Sequence, residues 1–154
     1  EPRVNWLNSK SFNAAKKANN IINNIEIYNN LESALSNFTY VVATTNRIRY
    51  LEKKSTSDFS LIKRKIISNK KTAILFGPEN SGLSNEDLKL SDIIFTIKTN
   101  DKSNSLNLSH AVAIFCFKLF ELNNLKSIKN IKINKNKVNK LELSKFFNYL
   151  MLLQ

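Results

Sequence analysis

Residues 72–88 read TAILFGPENSGLSNEDL, and they contain both glycines of the 154-residue chain and one of its two prolines. The apolar run 73–76 has the length and the flanking residues of a buried parallel strand. After it, Gly77 and Gly82 allow backbone angles that side chains forbid, and Pro78 fixes one φ angle and stiffens the turn. We therefore predict a strand that ends in a tight loop able to hold a ligand.

Ser84 is the predicted N-cap of a helix that follows this loop. Its hydroxyl can accept a hydrogen bond from the amide three residues on, and Glu86 and Asp87 place negative charge in the first turn. Such a cap typically stabilises a helix by about 1 kcal/mol. A strand, a tight loop and a capped helix in this order are typical of a ligand-binding site.

The spacing of the two glycines also matches the start of a phosphate-binding loop, G-x-x-x-x-G-K-[ST]. Leu83 stands where that motif has its lysine, and Glu79 adds a negative charge. The loop therefore lacks the cation that the phosphates of a nucleoside triphosphate require, and we reject this interpretation.

The composition is that of one globular domain with a large excess of positive charge. Hydrophobic residues make up 42% of the chain, and 24 Lys and Arg against 12 Asp and Glu give a net charge of +12. An excess of this size favours a polyanionic partner such as nucleic acid. The sequence has no apolar run of the roughly 20 residues that cross a membrane and no signal-peptide pattern, so we expect a cytoplasmic protein.

Cys116 and His110 are the only cysteine and the only histidine. Cys116 lies in the apolar run 111–117, so we interpret it as a core residue. One cysteine is too few for a disulfide scaffold or a cysteine-ligated metal site. A histidine-centred catalytic triad would have to use His110, and no nucleophile motif accompanies it.

The other elements follow from apolar periodicity and residue type. Predicted helices cover residues 11–20, 31–36, 61–68, 107–122 and 141–153. Predicted strands cover residues 25–28, 39–44 and 92–97, with a polar loop at 53–60. The alternation of helices and strands indicates an α/β domain with a mostly parallel sheet and helices on both faces.

Polar segments follow three of these strands, at residues 44–47, 77–82 and 98–107. In open α/β sheets, ligands bind beyond the carboxyl ends of the strands. We therefore expect the three segments to converge on one binding site.

The C-terminal part is basic and helical. The predicted helix 107–122 has a wide apolar face that would cover the sheet or a second subunit. Between Glu121 and Glu142 the chain has six lysines and no acid, which indicates either a solvated tether or a segment that contacts RNA. We predict a domain at residues 1–122, a basic linker at 123–140 and the start of a helical extension at 141–154.

Two segments carry a resemblance to a known family. Residues 75–86 (LFGPENSGLSNE) and 105–112 (SLNLSHAV) resemble the second and third motifs of the SpoU/TrmH family of RNA ribose 2′-O-methyltransferases, in the SPOUT superfamily. Residues 41–47 (VVATTNR) and the ending that leads into a further helix look most like the TrmJ branch, which methylates a tRNA anticodon-loop ribose. The resemblance covers residues 1–122 well and the remainder weakly.

The resemblance implies a fold, a cofactor and partners. The fold would carry a C-terminal trefoil knot, an exception to the rule that chains avoid threading. The cofactor would be S-adenosylmethionine, held in a bent pose by the knot, and no metal would be needed. The substrate would be tRNA or rRNA, and the chain would form a homodimer, because family members build the site across two subunits.

The resemblance also implies site residues. The cofactor would be lined by Thr44, Thr45, Asn46, Gly77, Ile97, Asn104, Ser105 and Leu106. Glu79, Ser105 and Asn107 match catalytic motif positions, and hydrogen bonds that fix the loop are an equally good role for Glu79 and Asn107. Arg47 and Arg49 are candidates for contacts with RNA or with a second subunit.

One departure from the family pattern affects activity. The family's first motif carries an asparagine and an arginine proposed to activate the ribose hydroxyl, and it would lie before residue 1 of this chain. We therefore expect an N-terminally truncated domain that lacks the principal catalytic arginine and is weakly active or inactive. The alternatives are a non-catalytic knotted RNA-binding module and, from charge alone, a nucleic-acid-binding domain without a cofactor.

Overall fold

The computed structural model describes residues 7–47, 52–69, 71–100, 106–123 and 138–151. The chain divides into two units, residues 1–34 and 35–154. The first unit contains helices α1 (Ser9–Ala15) and α2 (Asn19–Asn23), and helix α3 (Leu31–Leu35) extends across the boundary in sequence.

The first unit differs from the prediction at two places. The predicted helix 11–20 is two helices, because Lys16 adopts a φ of 53° at the end of α1. The predicted strand 25–28 is wrong: the segment has no regular structure, and Ile25 and Ile27 are 46% and 56% exposed. Alternating apolar residues predict a strand only where a neighbouring strand and a core are available to them.

The second unit is built on a four-stranded, fully parallel sheet with the strand order β2-β4-β1-β3. Its strands are β1 (Tyr40–Thr44), β2 (Ser55–Thr56), β3 (Thr72–Phe76) and β4 (Ile93–Phe95). Its helices are α4 (Phe59–Ser68), α5 (Asn85–Lys89), α6 (Leu108–Asn123) and α7 (Lys140–Met151). The predicted α/β class with a mostly parallel sheet is therefore confirmed.

Strand β2 was not predicted, because it lies in the polar stretch 53–60. Two residues are too few for an apolar pattern, and β2 exists because its backbone pairs with Ile94 and Phe95 of β4. Helix α4 also begins earlier than predicted, since Asp58 accepts a hydrogen bond from the amide of Ser60 at 2.8 Å and caps its first turn.

Both faces of the central strand β1 are buried. On one face, Tyr40, Val42 and Phe95 form a core cluster with Ile62 of α4 and Phe115 of α6. The ring centroids of Phe95 and Phe115 are 5.7 Å apart in an edge-on arrangement, a geometry that adds to simple area burial. The residues of β1 that point to the other face are fully buried as well, as expected for a parallel strand covered on both sides.

Asp92 joins three elements at the edge where the strands begin. Its Oδ2 accepts a hydrogen bond from the amide of Val41 at 2.7 Å, and its Oδ1 pairs with Lys140 Nζ at 2.7 Å. The amide of Lys140 also donates to the carbonyl of Phe38 at 3.0 Å. The first turn of α7 is thereby attached to the sheet.

A second cation lies near this junction. Lys53 Nζ donates to the carbonyls of Lys89, at 2.7 Å, and of Ser91, at the C-terminal end of α5. Burial and the neighbouring charge of Lys140 lower the pKa of Lys53, whereas Asp92 acts in the opposite direction. Asp92 therefore supplies negative charge to two partly buried lysines.

Cys116 is a correction to the sequence interpretation, because it is exposed on α6. Helix α6 is apolar around most of its circumference, and Phe115 faces the sheet while Phe117 and Phe120 are 62% and 63% exposed. An apolar run on a helix cannot show which residues meet the core when both sides of the helix are apolar.

Some predictions concern residues that the structure does not describe. The predicted knot would be formed by the motifs at 75–86 and 105–112, and residues 101–105, which lead into the second of these, lie outside the described ranges, so the knot stays a prediction. The partition into residues 1–122, 123–140 and 141–154 also stays a prediction, because most of the basic segment lies outside these ranges. Among the helices that are described, none is long and apolar enough to cross a membrane.

Candidate functional site

The carboxyl ends of β1, β3 and β4 open onto one cleft with a volume of about 720 Å³. This volume is within the range of sites that hold small molecules and cofactors. Six of the eight residues implied for the cofactor line it: Thr44, Thr45, Asn46, Gly77, Ile97 and Leu106. The other two, Asn104 and Ser105, lie outside the described residues, as does Arg49.

Several lining residues were not predicted. They are Phe76, Pro78, Asn80, Gly82, Phe95, Thr99, Leu108 and Ala111. Asn80 and Thr99 belong to the predicted polar segments, so their positions were available from the sequence. Leu108 and Ala111 reach the cleft because α6 begins directly after the third segment, and their apolar spacing alone indicated only a helix.

Gly77 lies where two stretches of backbone pass very close to each other. A Cβ atom at this position would lie 2.2 Å from the amide nitrogen of Leu83 and 2.3 Å from the carbonyl carbon of Gly82. No other residue type fits here without movement of the loop backbone. Gly77 is thus required for the shape of the cleft wall.

The loop is closed by its own backbone. The amide of Gly82 donates to the carbonyl of Pro78 at 2.7 Å, and Gly82 has a φ of +67°, in the left-handed region that favours glycine. Leu83 follows with only 5% of its surface exposed. The residue that takes the place of the phosphate-binding lysine therefore packs into the protein interior.

The predicted cap at Ser84 is confirmed. The amide of Asp87 donates to Ser84 Oγ at 3.1 Å, and the amide of Ser84 donates to Asp87 Oδ2 at 2.8 Å. These reciprocal bonds form a capping box that fixes the start of α5 directly after the loop.

Two threonine hydroxyls at the carboxyl ends of β1 and β4 form hydrogen bonds that connect the strand ends lining the cleft. Thr44 Oγ1 donates to the carbonyl of Leu75 at 2.7 Å, and Thr96 Oγ1 donates to the carbonyl of Thr45 at 2.8 Å. The hydroxyl hydrogen of Thr44 is thus used within the sheet.

Glu79 and Asn107 connect the two motifs directly. Asn107 Nδ2 donates to Glu79 Oε1 at 2.5 Å, and Asn107 Oδ1 accepts from the amide of Ser109 at 2.9 Å. The loop after β3 is therefore tied to the first turn of α6. The geometry favours the loop-fixing role that the sequence left open for this pair.

Among the described residues that line the cleft, Arg47 is the one positively charged side chain and Glu79 is the one negatively charged side chain. Arg47 is exposed, and its Nη2 donates to the carbonyl of Asn80 at 3.0 Å. The remaining wall combines apolar side chains, such as Ile97 and Leu106, with backbone polar groups. Such a lining suits a ligand with a flat apolar portion and hydrogen-bonding groups at its edges.

Comparison with known proteins identifies the family. A sequence profile of the SpoU rRNA methylase family matches residues 1–117. The chain belongs to the SpoU rRNA methylase family. The tRNA (cytidine-2′-O-)-methyltransferase TrmJ of Methanocaldococcus jannaschii is 28% identical to this SpoU-family chain over 117 residues, which are 74% of this chain and 51% of the relative.

Two further relatives agree with this assignment. The tRNA/rRNA methyltransferase LasT of Escherichia coli, itself uncharacterized, is 31% identical over 125 residues, or 79% of this chain and 52% of LasT. The crystal structure of TrmJ from Z. mobilis superimposes with a TM-score of 0.80 and 25% identity, over 99% of this chain and 64% of that chain. The SpoU-family chain thus spans about half the length of the two curated relatives.

Proposed function

We propose that this chain is the cofactor-binding part of an S-adenosylmethionine-dependent ribose 2′-O-methyltransferase that acts on tRNA or rRNA, with a nucleotide of the tRNA anticodon loop as the target. Membership of the SpoU family and relatives named tRNA methyltransferases support the RNA substrate. The observation that supports the cofactor most strongly is the cleft at three strand ends, lined by six residues implied for it. A tRNA substrate makes the cytoplasm the proposed location.

The residues present fit S-adenosylmethionine. Backbone groups around Gly77 and Leu106 would hold the adenine and ribose edges, and Ile97 would supply an apolar wall. When bound, the cofactor supplies a methyl group already activated by its sulfonium, so the protein has mainly to align the ribose hydroxyl. No metal is needed in this proposal.

The two motif residues would act on the cleft wall. Glu79 and Asn107 hold the loop against α6 through their 2.5 Å hydrogen bond. The hydrogen bond would hold the loop backbone in place relative to the facing strand ends. A fixed cleft wall would help to align the cofactor's methyl group with the ribose hydroxyl.

Replacement of Glu79 separates the loop-fixing role from a direct catalytic role. Glu79→Gln keeps an oxygen that can accept from Asn107 and removes the charge, so we expect it to retain most of the affinity for S-adenosylmethionine and most of the methyl transfer. Glu79→Ala removes the acceptor, and we expect about a tenfold loss in both. Calorimetry on both variants, and methyl transfer measured with the family's first motif ahead of residue 1, check this. Equal losses of methyl transfer in the two variants, with cofactor affinity intact, would indicate that the carboxylate takes a direct part.

Two measurements test the proposed function. Calorimetry with S-adenosylmethionine is expected to show one site per chain, and a complete absence of heat would contradict the cofactor assignment. Incubation with unmodified tRNA and isotopically labelled cofactor, of a protein that carries the family's first motif ahead of residue 1, is expected to give label on a ribose 2′ oxygen, which mass spectrometry of nuclease digests can locate. A chain that binds tRNA with no methylated ribose would support the alternative, a non-catalytic RNA-binding module.

The proposed homodimer would use the outer face of α6. Phe117 and Phe120 expose 62% and 63% of their surface on this face, beside the exposed Cys116. Adjacent exposed aromatic residues of this kind are enriched where proteins associate.

We expect Phe117→Glu to convert the dimer into a monomer, because it buries a charge at the centre of the apolar face. Light scattering after gel filtration measures the mass, and the reactivity of Cys116 with a thiol reagent should rise in the variant. Phe147→Glu is the matched control, since Phe147 is 55% exposed on α7 and lies away from α6 in sequence. A wild-type chain that is monomeric at all concentrations would rule out the dimer.

A further inference from the structure

Arg47 lies where the segment after β1 meets the loop after β3. Its Nη2 donates to the carbonyl of Asn80 at 3.0 Å, and its amide donates to Thr45 Oγ1 at 3.2 Å. A Cβ atom placed on Gly82 would be 3.9 Å from Arg47 Nε. The guanidinium thus lies along the backbone of the loop.

The loop is held from two sides by side chains. Asn107 binds Glu79 from the side of α6, and Arg47 binds the next residue, Asn80, from the side of β1. Inside the loop, a backbone hydrogen bond between Gly82 and Pro78 closes the turn. The Arg47 contact is charge-assisted, and such hydrogen bonds are stronger than those between neutral groups.

We propose that Arg47 is a positioning residue for the cofactor. By holding the carbonyl of Asn80, it keeps the loop 77–82 in the shape that the cleft requires, whereas the sequence indicated a contact with RNA or with a second subunit. This inference rests on the proposed function, because the ligand of the cleft is taken to be S-adenosylmethionine. It assigns the residue to the cofactor site and predicts a small effect on RNA affinity.

The experiment compares three variants with the wild-type chain. Arg47→Ala removes the contact, Arg47→Lys keeps one cationic donor, and Arg64→Ala removes the same charge from an exposed site on α4. Calorimetry measures the affinity for S-adenosylmethionine, filter binding measures the affinity for tRNA, and hydrogen exchange of ligand-free protein reports on the amides of residues 79–82.

We expect Arg47→Ala to weaken cofactor binding about five- to tenfold and to speed exchange of the loop amides, because the loop loses its contact with the segment after β1. The effect is limited because the contact is exposed to solvent. Arg47→Lys should recover part of both effects. The affinity for tRNA should change no more in Arg47→Ala than in Arg64→Ala. Unchanged cofactor affinity and loop exchange, together with a larger loss of tRNA affinity than in Arg64→Ala, would overturn the inference and assign Arg47 to the RNA contact.

The outcomes separate this inference from the proposed function. If the wild-type chain gives no heat with S-adenosylmethionine, the proposed function fails. The hydrogen exchange of the ligand-free loop then still decides whether Arg47 holds Asn80, since that measurement needs no ligand.

Discussion

Gly77→Ala, in a protein that carries the family's first motif ahead of residue 1, is expected to reduce methyl transfer on the order of 100-fold, the effect of misplacing groups in a site by about 1 Å. The added Cβ would lie 2.2 Å from the amide nitrogen of Leu83, whereas ordinary contacts begin near 3.4 Å. The obstructing atoms are backbone, so no side chain can rotate away, and the loop must move by at least about 1 Å. Affinity for S-adenosylmethionine should fall together with methyl transfer, and calorimetry measures it directly.

Gly82→Ala is the matched control for this prediction. It makes the same chemical change five positions along the same loop, where the nearest side-chain atom to a new Cβ would be 3.9 Å away. The strain comes only from the φ of +67°, which costs an alanine roughly 1–2 kcal/mol. We expect Gly82→Ala to lower the melting temperature and to keep most of the cofactor binding. Equal cofactor affinity in Gly77→Ala and the wild-type chain would contradict the assignment of this loop to the cleft wall.

Asp92→Ala is expected to lower the free energy of unfolding by about 2–4 kcal/mol. The substitution leaves the amide of Val41 without its 2.7 Å acceptor, in a residue with no exposed surface. It also leaves Lys140, whose side chain is only 16% exposed, without its ion-pair partner. Lys53 loses the favourable electrostatic interaction with the same carboxylate. Urea unfolding followed by circular dichroism measures the change.

Lys140→Met separates the two functions of Asp92. It removes the ion pair and keeps the hydrogen bond to Val41, and the carboxylate that remains is 33% exposed and can be hydrated. We expect a loss of about 1 kcal/mol, near the upper range for exposed pairs. Cofactor affinity should be unchanged in both variants while they are folded, because the junction lies where the strands begin and the cleft lies where they end. An Asp92→Ala variant as stable as Lys140→Met would show that the bond to Val41 contributes little.

The predictions that succeeded depend on residues close together in the chain. The strand before Gly77 and the cap at Ser84 follow from neighbours within a few positions. The predictions that failed also relied on local sequence alone. The segment 25–28 has a strand pattern but pairs with no strand among the described residues, and Cys116 lies in an apolar run on a helix whose outer side is also apolar.

The sequence by itself determined the parallel α/β architecture, the glycine-rich corner and the family, because periodicity, capping and short motifs are local properties. Only the tertiary structure decided which groups meet in the loop at the carboxyl ends of the strands and which meet at the end of the sheet where the strands begin. Asn107 reaches Glu79 across 28 positions, Arg47 reaches Asn80 across 33 and Asp92 reaches Val41 across 51. No local propensity reports such pairs, since they form only when the parallel strands bring distant loops to the same end of the sheet.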